Sequence, residues 1–207
     1  MNAGDVLSFC FPEGLDADLD RHLAYWGWMM RGGADEGIVT RFAGLVPLAA
    51  SGELDDWADT PRGRLALILV LDQFPRSLYR DDPRAYATDA QALALTEEGL
   101  ANGDFTALVH SWERTMFALP LVHAEGPDHA ARAALGERLA ADTLEMAPEP
   151  LKPAYEFCLA QSRRHRAVIA RFGRHPHRNA VLGRETTADE AAYIADGAFP
   201  HQHEIDV

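Results

Sequence analysis

The sequence predicts a single all-α domain of about eight helices that stack as antiparallel hairpins. Helix caps recur along the 207 residues, and no alternating apolar pattern with hairpin turns indicates a strand. The connections between helical segments are short, which favours antiparallel neighbours. An apolar fraction of 47% and a charged fraction of 25% are ordinary for a globular protein. With no repeat or low-complexity linker to divide the chain, we expect residues 1–207 to form one domain in which 197–207 is a flexible tail.

Capping residues set the helix boundaries. Thr60 and Asp82 each precede a proline, a combination typical of a helix start. Thr187 and Glu190 fit a capping box, and Gly173 is a typical helix stop. Together with the apolar periodicity, these signals predict helices at about 16–30, 35–50, 61–74, 83–101, 105–118, 127–142, 150–172 and 187–196.

Two of these helices carry polar residues to places where water is scarce. The helix predicted at 61–74 is apolar on every side, so it is expected to be central and buried. It ends in Asp72, which continues the buried stripe, and in Gln73. In the last long helix, Gln161 and His165 lie on an otherwise apolar face. Buried polar groups need partners, so both helices indicate a specific polar cluster.

The charge of the chain is unevenly distributed. The net charge is −13, yet the window from Phe157 to Arg184 has no Asp or Glu and holds seven arginines and three histidines. This window carries +7, which leaves −20 on the rest of the chain. A cationic segment in an acidic protein indicates contact with an anion, either a ligand or the protein's own carboxylates. The acidic remainder repels a long polyanion, so we do not expect nucleic acid as a partner.

The sequence also indicates the compartment. No apolar run approaches the roughly 18 residues that a membrane span needs. The start of the chain has no basic leader, and Cys10 and Cys158 are far apart in apolar surroundings. We therefore expect a soluble cytoplasmic protein that does not contact a membrane.

Three segments combine the residue types that anion binding and acid–base chemistry require. They are Asp72-Gln73-Phe74-Pro75-Arg76 followed by Arg80, the segment Pro120 to Glu125 with His123, and Arg171 to Asn179 continued by Leu182-Gly183-Arg184-Glu185. Their order and spacing resemble the bacterial domain-of-unknown-function 924 family over residues 6–190. The resemblance implies helix-turn-helix pairs similar to tetratricopeptide repeats, and it implies no particular reaction. The chain departs from the family pattern at Ser77, Ala124, His175 and near His129, so no mechanism is based on a serine in the second segment.

We predict that the three segments converge on one site. Its candidate acid–base residues are His123 and His177 as proton carriers, with Glu125 and Asp72 orienting them. Its candidate anion-binding residues are Gln73, Arg76, Arg80, Arg171, Arg174, Arg178 and Asn179. We expect no metal, because the arginines beside these histidines would repel a cation. We expect no cofactor, because phosphate loops and dinucleotide fingerprints are absent from the sequence.

Two alternatives remain open at this point. In the first, the protein's own carboxylates at Asp72, Glu113 and Glu125 are neutralised by the basic segment, through Arg171, Arg174 and Arg178. The result is a buried ion-pair network without a ligand. In the other, the stacked hairpins form an interaction module for a protein or peptide. The special residues come from helix ends in three separate segments rather than from successive hairpins. This favours a closed pocket for a small anionic molecule.

Overall fold

The computed structural model describes residues 1–197 and 199, and within this part of the chain every regular element is helical, as predicted. The α-helices are α1 Ala3–Cys10, α2 Leu19–Met30, α3 Asp35–Gly37, α4 Leu45–Ala50, α5 Pro61–Asp72, α6 Phe74–Leu78, α7 Asp89–Ala101, α8 Asp104–Ala107, α9 Ser111–Ala118, α10 Pro120–His123, α11 His129–Met146, α12 Lys152–Phe172 and α13 Ala188–Asp196. Short 3-10 segments lie at Leu15–Ala17, Asp55–Asp59, Pro83–Tyr86, Glu149–Leu151 and Pro176–Arg178, and a π-helical turn at Ile38–Phe42 follows α3. The tail expected at 197–207 lies outside the described residues, apart from 197 and 199.

The predicted caps begin and end helices as expected. The Thr60 hydroxyl accepts a hydrogen bond from the Gly63 amide at 3.1 Å and begins α5. Thr187 and Glu190 form the reciprocal capping box of α13. Gly173 ends α12 in the left-handed conformation, with φ of +70°, where a residue with a β-carbon would be strained.

The sequence prediction missed one helix and joined some helices that are separate in the structure. Helix α1 was not predicted, although the side chains of Asn2 and Asp5 form a capping box at its start. The helix predicted at 61–74 ends at Asp72, and α6 begins two residues later with Pro75 in its first turn. Proline has no amide hydrogen to donate to the Leu71 carbonyl, so it ends one helix and suits the first turn of the next. Pro120 does the same for α10, in a segment predicted to be a loop.

Helix α5 forms the centre of the protein. It packs against α1, α4, α7, α8 and α9, so its whole circumference is covered. Its residues from Gly63 to Asp72 are all buried, as the uniformly apolar sequence predicted. No helix within the described residues is long and apolar enough to span a bilayer.

Helices α11 and α12 form an antiparallel hairpin joined by a short connection that contains the 3-10 turn Glu149–Leu151. Helix α11 also packs closely on α10 through Gly136, where a β-carbon would lie 3.3 Å from Cγ1 of Val122. This close approach fixes the short helix α10, which carries His123, between the hairpin and the rest of the core.

We predict that Leu69→Ala in α5 lowers the free energy of unfolding by about 2–5 kcal/mol, because it removes a fully buried side chain and leaves a cavity. Leu48→Ala in α4 is the matched control, since Leu48 is one of the exposed apolar residues. Its effect should stay within about 0.5 kcal/mol. Urea denaturation of both variants measures the difference, and equal losses would contradict a central position for α5.

Candidate functional site

The buried apolar side chains form three separate clusters, and a cavity of about 630 Å³ lies where the clusters meet. Its lining includes Leu69 and Phe74 from the main cluster around α5, Cys158 from a second cluster and Val122 from the third. Its volume is within the range of sites that bind small molecules. The polar lining comes from all three segments that the sequence singled out: Gln73, Arg76, Arg80, His123, His175, His177 and Arg178.

Asp72 and His123 form a hydrogen-bonded pair at one wall of the cavity. The Asp72 carboxylate is 1% exposed, and both of its oxygens lie 2.9 Å from Nδ1 of His123. Gln73 donates a further hydrogen bond to this carboxylate. Burial alone would raise the pKa of Asp72, but the charge of Arg76 and the contacts with His123 and Gln73 outweigh it and hold the pKa well below its ordinary value. Asp72 is therefore ionised, and Nδ1 of His123 carries the hydrogen that it accepts.

A second buried carboxylate, Asp89, joins this pair to the arginines. Asp89 Oδ1 lies 2.9 Å from Nη2 of Arg76, and its Oδ2 lies 3.2 Å from Nη1 of Arg178. Burial raises the pKa of Asp89, although both guanidinium groups oppose this shift. Both guanidinium groups also lie over the ring of Tyr86, at 5.6 Å and 4.4 Å from its centre.

Sequence reasoning missed Asp89. It placed the residue in the middle of a predicted helix that began at Pro83, whereas Pro83–Tyr86 is a 3-10 segment and α7 begins at Asp89 itself. The signal that could have found it is Thr88, a typical N-cap residue type directly before it. The Thr88 hydroxyl instead donates to the Leu71 carbonyl at 2.5 Å, which ties the start of α7 to the end of α5.

Arg178 is the most deeply buried of the predicted anion-binding arginines. It is 4% exposed, and its Nη1 also donates to the His123 carbonyl at 2.9 Å. Burial, together with the charge of Arg76, lowers the pKa of Arg178 from its ordinary value. Its buried Nε has no hydrogen-bond partner among the described residues. Arg178 therefore contributes a positive charge to the cavity lining, while its Nε is enclosed by the protein.

Two histidine rings hold the end of α10. Nε2 of His129 and Nε2 of His175 lie 2.9 Å and 2.8 Å from the Val122 carbonyl oxygen, so each Nε2 carries a hydrogen and donates it. Burial lowers the pKa of His129. Burial, with the charge of Arg178 next, lowers the pKa of His175 well below its ordinary value. Both rings are therefore neutral structural donors.

Glu125 lies outside the cavity lining, in contact with the loop after α12. Its carboxylate accepts the His175 amide at 2.8 Å and is paired with Arg184. Burial opposes these contacts, but they lower the pKa of Glu125 below its ordinary value. The structure thus gives Glu125 a position that fixes the loop carrying His175, rather than one beside His123.

Three more of the predicted residues lie away from the cavity. Arg174 forms a two-point ion pair with Glu190 at 2.7 Å and 2.9 Å, and the Asn179 side chain donates to the same carboxylate at 3.2 Å. The hydrogen bond from Arg174 is the main cause that lowers the pKa of Glu190 to about 2. Arg171 is exposed and lies over the ring of Phe172.

The arginine–carboxylate pairs differ from those of the ion-pair alternative. Asp72 contacts Arg76, and Glu113 and Glu125 contact Arg62 and Arg184. The structure brings together Asp72, Gln73, Arg76, His123, His177 and Arg178, with Arg80 paired to Asp35 elsewhere on the cavity lining. Within the described part of the chain, no group of three or more His, Cys, Asp or Glu side chains is arranged to hold a metal ion.

The model of a family described as bacterial protein of unknown function, DUF924, matches residues 6–198. The chain belongs to the DUF924 family. A solved structure of a protein of unknown function from Agrobacterium tumefaciens is 33% identical, with a TM-score of 0.72. The match covers 94% of this chain and 97% of that one, so the two proteins share the same helical arrangement. Among curated proteins, none matches the sequence.

We predict that this DUF924 protein loses stability as the pH falls below about 6.5, before its carboxylates titrate. The pKa values of His22, His129 and His175 are all lowered in the folded state, so the unfolded chain takes up protons that the folded protein does not. These histidines stabilise the folded protein at pH values above their pKa in the unfolded chain. This contribution is lost as the pH falls, by up to about 1.4 kcal/mol per pH unit for each histidine.

The variant His175→Gln tests this prediction, because an amide can still donate to the Val122 carbonyl but does not titrate. Urea denaturation between pH 8 and pH 5 should show a shallower fall for this variant than for the unmodified protein. Val168→Ala is the control, since it weakens the core without removing a titratable group. An unchanged pH slope in His175→Gln would contradict the assignment of His175 as a buried neutral ring.

Proposed function

We propose that the cavity binds a small anionic molecule and that the Asp72–His123 pair acts on it by acid–base chemistry. The observation that carries the proposal is the hydrogen bond between Nδ1 of His123 and the buried Asp72 carboxylate, in a ring that also lines the cavity. Because Nδ1 carries the hydrogen, the lone pair of the neutral ring is on Nε2. The carboxylate orients the ring and stabilises the imidazolium that forms when Nε2 accepts a proton.

The charges around His123 fit an anion that binds together with a proton. Two guanidinium groups, of Arg76 and Arg178, balance the carboxylates of Asp72 and Asp89 when all four are ionised. Uptake of a proton by His123 or by Asp89 leaves one positive charge in a buried place. A bound carboxylate or phosphate group neutralises that charge, and the guanidinium group of Arg178, which is part of the cavity lining, attracts it.

Two further parts of the proposal concern setting and architecture. Two buried free cysteines, Cys10 and Cys158, fit a reducing cytoplasm. The antiparallel hairpin of α11 and α12 supports a likeness to tetratricopeptide repeats. A protein or peptide partner is the alternative, in which the ion pairs around Asp72 serve only to hold the helices. The polar lining of a concave site of this volume favours the small molecule over that alternative.

We predict that Arg178→Met weakens the binding of butyrate and inorganic phosphate by at least about 10-fold, the size expected for a hydrogen bond to a charged group. Arg174→Met is the matched control, because it removes an arginine–carboxylate pair outside the cavity. Isothermal titration calorimetry measures both variants, and their unfolding midpoints are compared. If Arg178→Met binds both anions as tightly as the unmodified protein does and both variants lose only stability, the ion-pair alternative is correct.

We also predict that His123 reacts rapidly with diethyl pyrocarbonate and that Asp72→Asn slows this reaction by at least about 10-fold. The amide of an asparagine donates to Nδ1 and so moves the hydrogen to Nε2, where it removes the reactive lone pair. Mass spectrometry of timed samples measures the modification at each histidine. The exposed ring of His110 is the internal control, and its rate should be equal in both proteins. Equal rates at His123 as well would show that Asp72 does not set its tautomer.

A further inference from the structure

Helix α12 presents a straight line of residues to the cavity. Phe157, Gln161 and His165 are spaced four residues apart, so they lie on one face of the helix, and all three line the cavity. With a rise of about 1.5 Å per residue, the line is about 12 Å long. The cavity therefore extends for about 12 Å beside α12.

The two ends of this line differ in chemistry. At one end, the ring of Phe157 lies 6.2 Å from Trp26, and Trp26 lies 5.3 Å from Trp112. At the other end, the ring of His165 lies 6.2 Å from that of His123. One end of the cavity is thus aromatic, and the other is the polar cluster around Asp72 and Arg178.

The lining contributed by α9 and α11 is largely apolar, and the hydroxyl groups of its two threonines, Thr115 and Thr143, donate to backbone carbonyls. Met116 and Leu119 follow Trp112 along α9 and its extension, and Leu139 and Ala140 line the cavity from α11. Arg114 is part of the lining too, but its guanidinium donates to the backbone carbonyls of Leu108 and Thr106, at 2.9 Å and 2.7 Å. Its charge is therefore already engaged by carbonyl oxygens.

From this arrangement we infer that the ligand is an amphipathic anion, with a carboxylate beside Arg178 and His123 and an apolar body that reaches Trp26. The inference rests on the proposed function and names the substrate class of the same site. A body of about ten carbons spans the line along α12, for carbon–carbon bonds of about 1.5 Å. A small polar anion would contact only the polar end.

Decanoate and butyrate test the inference, because they share a carboxylate and differ by six methylene groups. Each methylene moved out of water strengthens binding by roughly fourfold. Allowing for the ordering of the chain, we expect decanoate to bind at least about 100-fold more tightly than butyrate. Calorimetry measures both affinities, and binding of decanoate should have a negative heat-capacity change.

Two pairs of variants locate the two ends of the ligand. Ala140→Phe places a bulky ring among the apolar lining residues of α11 and should abolish decanoate binding while butyrate still binds. Ala134→Phe, on another face of α11 and outside this cavity, is its control. Arg178→Met should weaken both ligands, and Arg174→Met should weaken neither.

The outcomes separate this inference from the proposed function. Equal affinities for butyrate and decanoate would overturn the amphipathic ligand and leave the anion site intact. Decanoate binding that is unaffected by Arg178→Met would overturn the placement of its carboxylate. If butyrate, decanoate and inorganic phosphate all fail to bind, the proposed function itself is wrong.

Discussion

The short helix α10 ends inside the protein, and the need to satisfy its last carbonyl groups determines the arrangement of the site. Carbonyl oxygens at the end of a helix have no partner within it and carry a partial negative charge. Here the Val122 carbonyl accepts hydrogen bonds from two histidine rings. The His123 carbonyl accepts one from Arg178, and the Ala124 carbonyl accepts one from Arg132. The basic segment after α12 therefore folds inward to complete this helix end. Because His123 belongs to the same turn, these contacts also fix its ring against Asp72.

The charge cluster beside this turn requires an explanation beyond stability. Buried ion pairs lose the solvation of both partners, and apolar packing of the same volume is often as stable. Asp72 and Asp89 are joined to Arg76 and Arg178 in one continuous set, so removing any member leaves a buried charge without a partner. What the cluster does achieve is a fixed orientation of the His123 ring beside the cavity, with the charge of Arg178 held next to it. Such preorganisation is what a binding or catalytic site requires.

Local signals in the sequence predicted the helical fold and the burial of Asp72. The caps at Thr60 and Thr187 and the uniformly apolar run of α5 act within a few residues, so they could be read without the tertiary structure. The burial of Asp72 followed from the same helical periodicity. Its contact with His123 joins residues 51 apart in the chain, and spacing alone does not establish such a contact.

The basic segment shows where sequence reasoning stops. Gly173 reverses the chain after α12, so arginines that are close in sequence point to different surroundings. Arg171 remains exposed on the helix, Arg174 reaches Glu190 on α13, and Arg178 enters the core. Each position depends on which carboxylate the packing of other helices brings near. Composition predicts that the segment meets anions, and only the tertiary structure decides which arginine meets which group.

For the ligand inferred above, binding free energy and chemistry arise at opposite ends of the line of residues along α12. The aromatic end, around Trp26, gains free energy when an apolar body displaces water. In the proposed function, the polar end, where Arg178 and His123 lie, contributes orientation and a proton acceptor; its charges are already paired with one another. Binding free energy from a remote part of a substrate can hold the reacting group in place at the other end. A cavity formed between three apolar clusters, with one charged wall, meets this requirement through the packing of the helices alone.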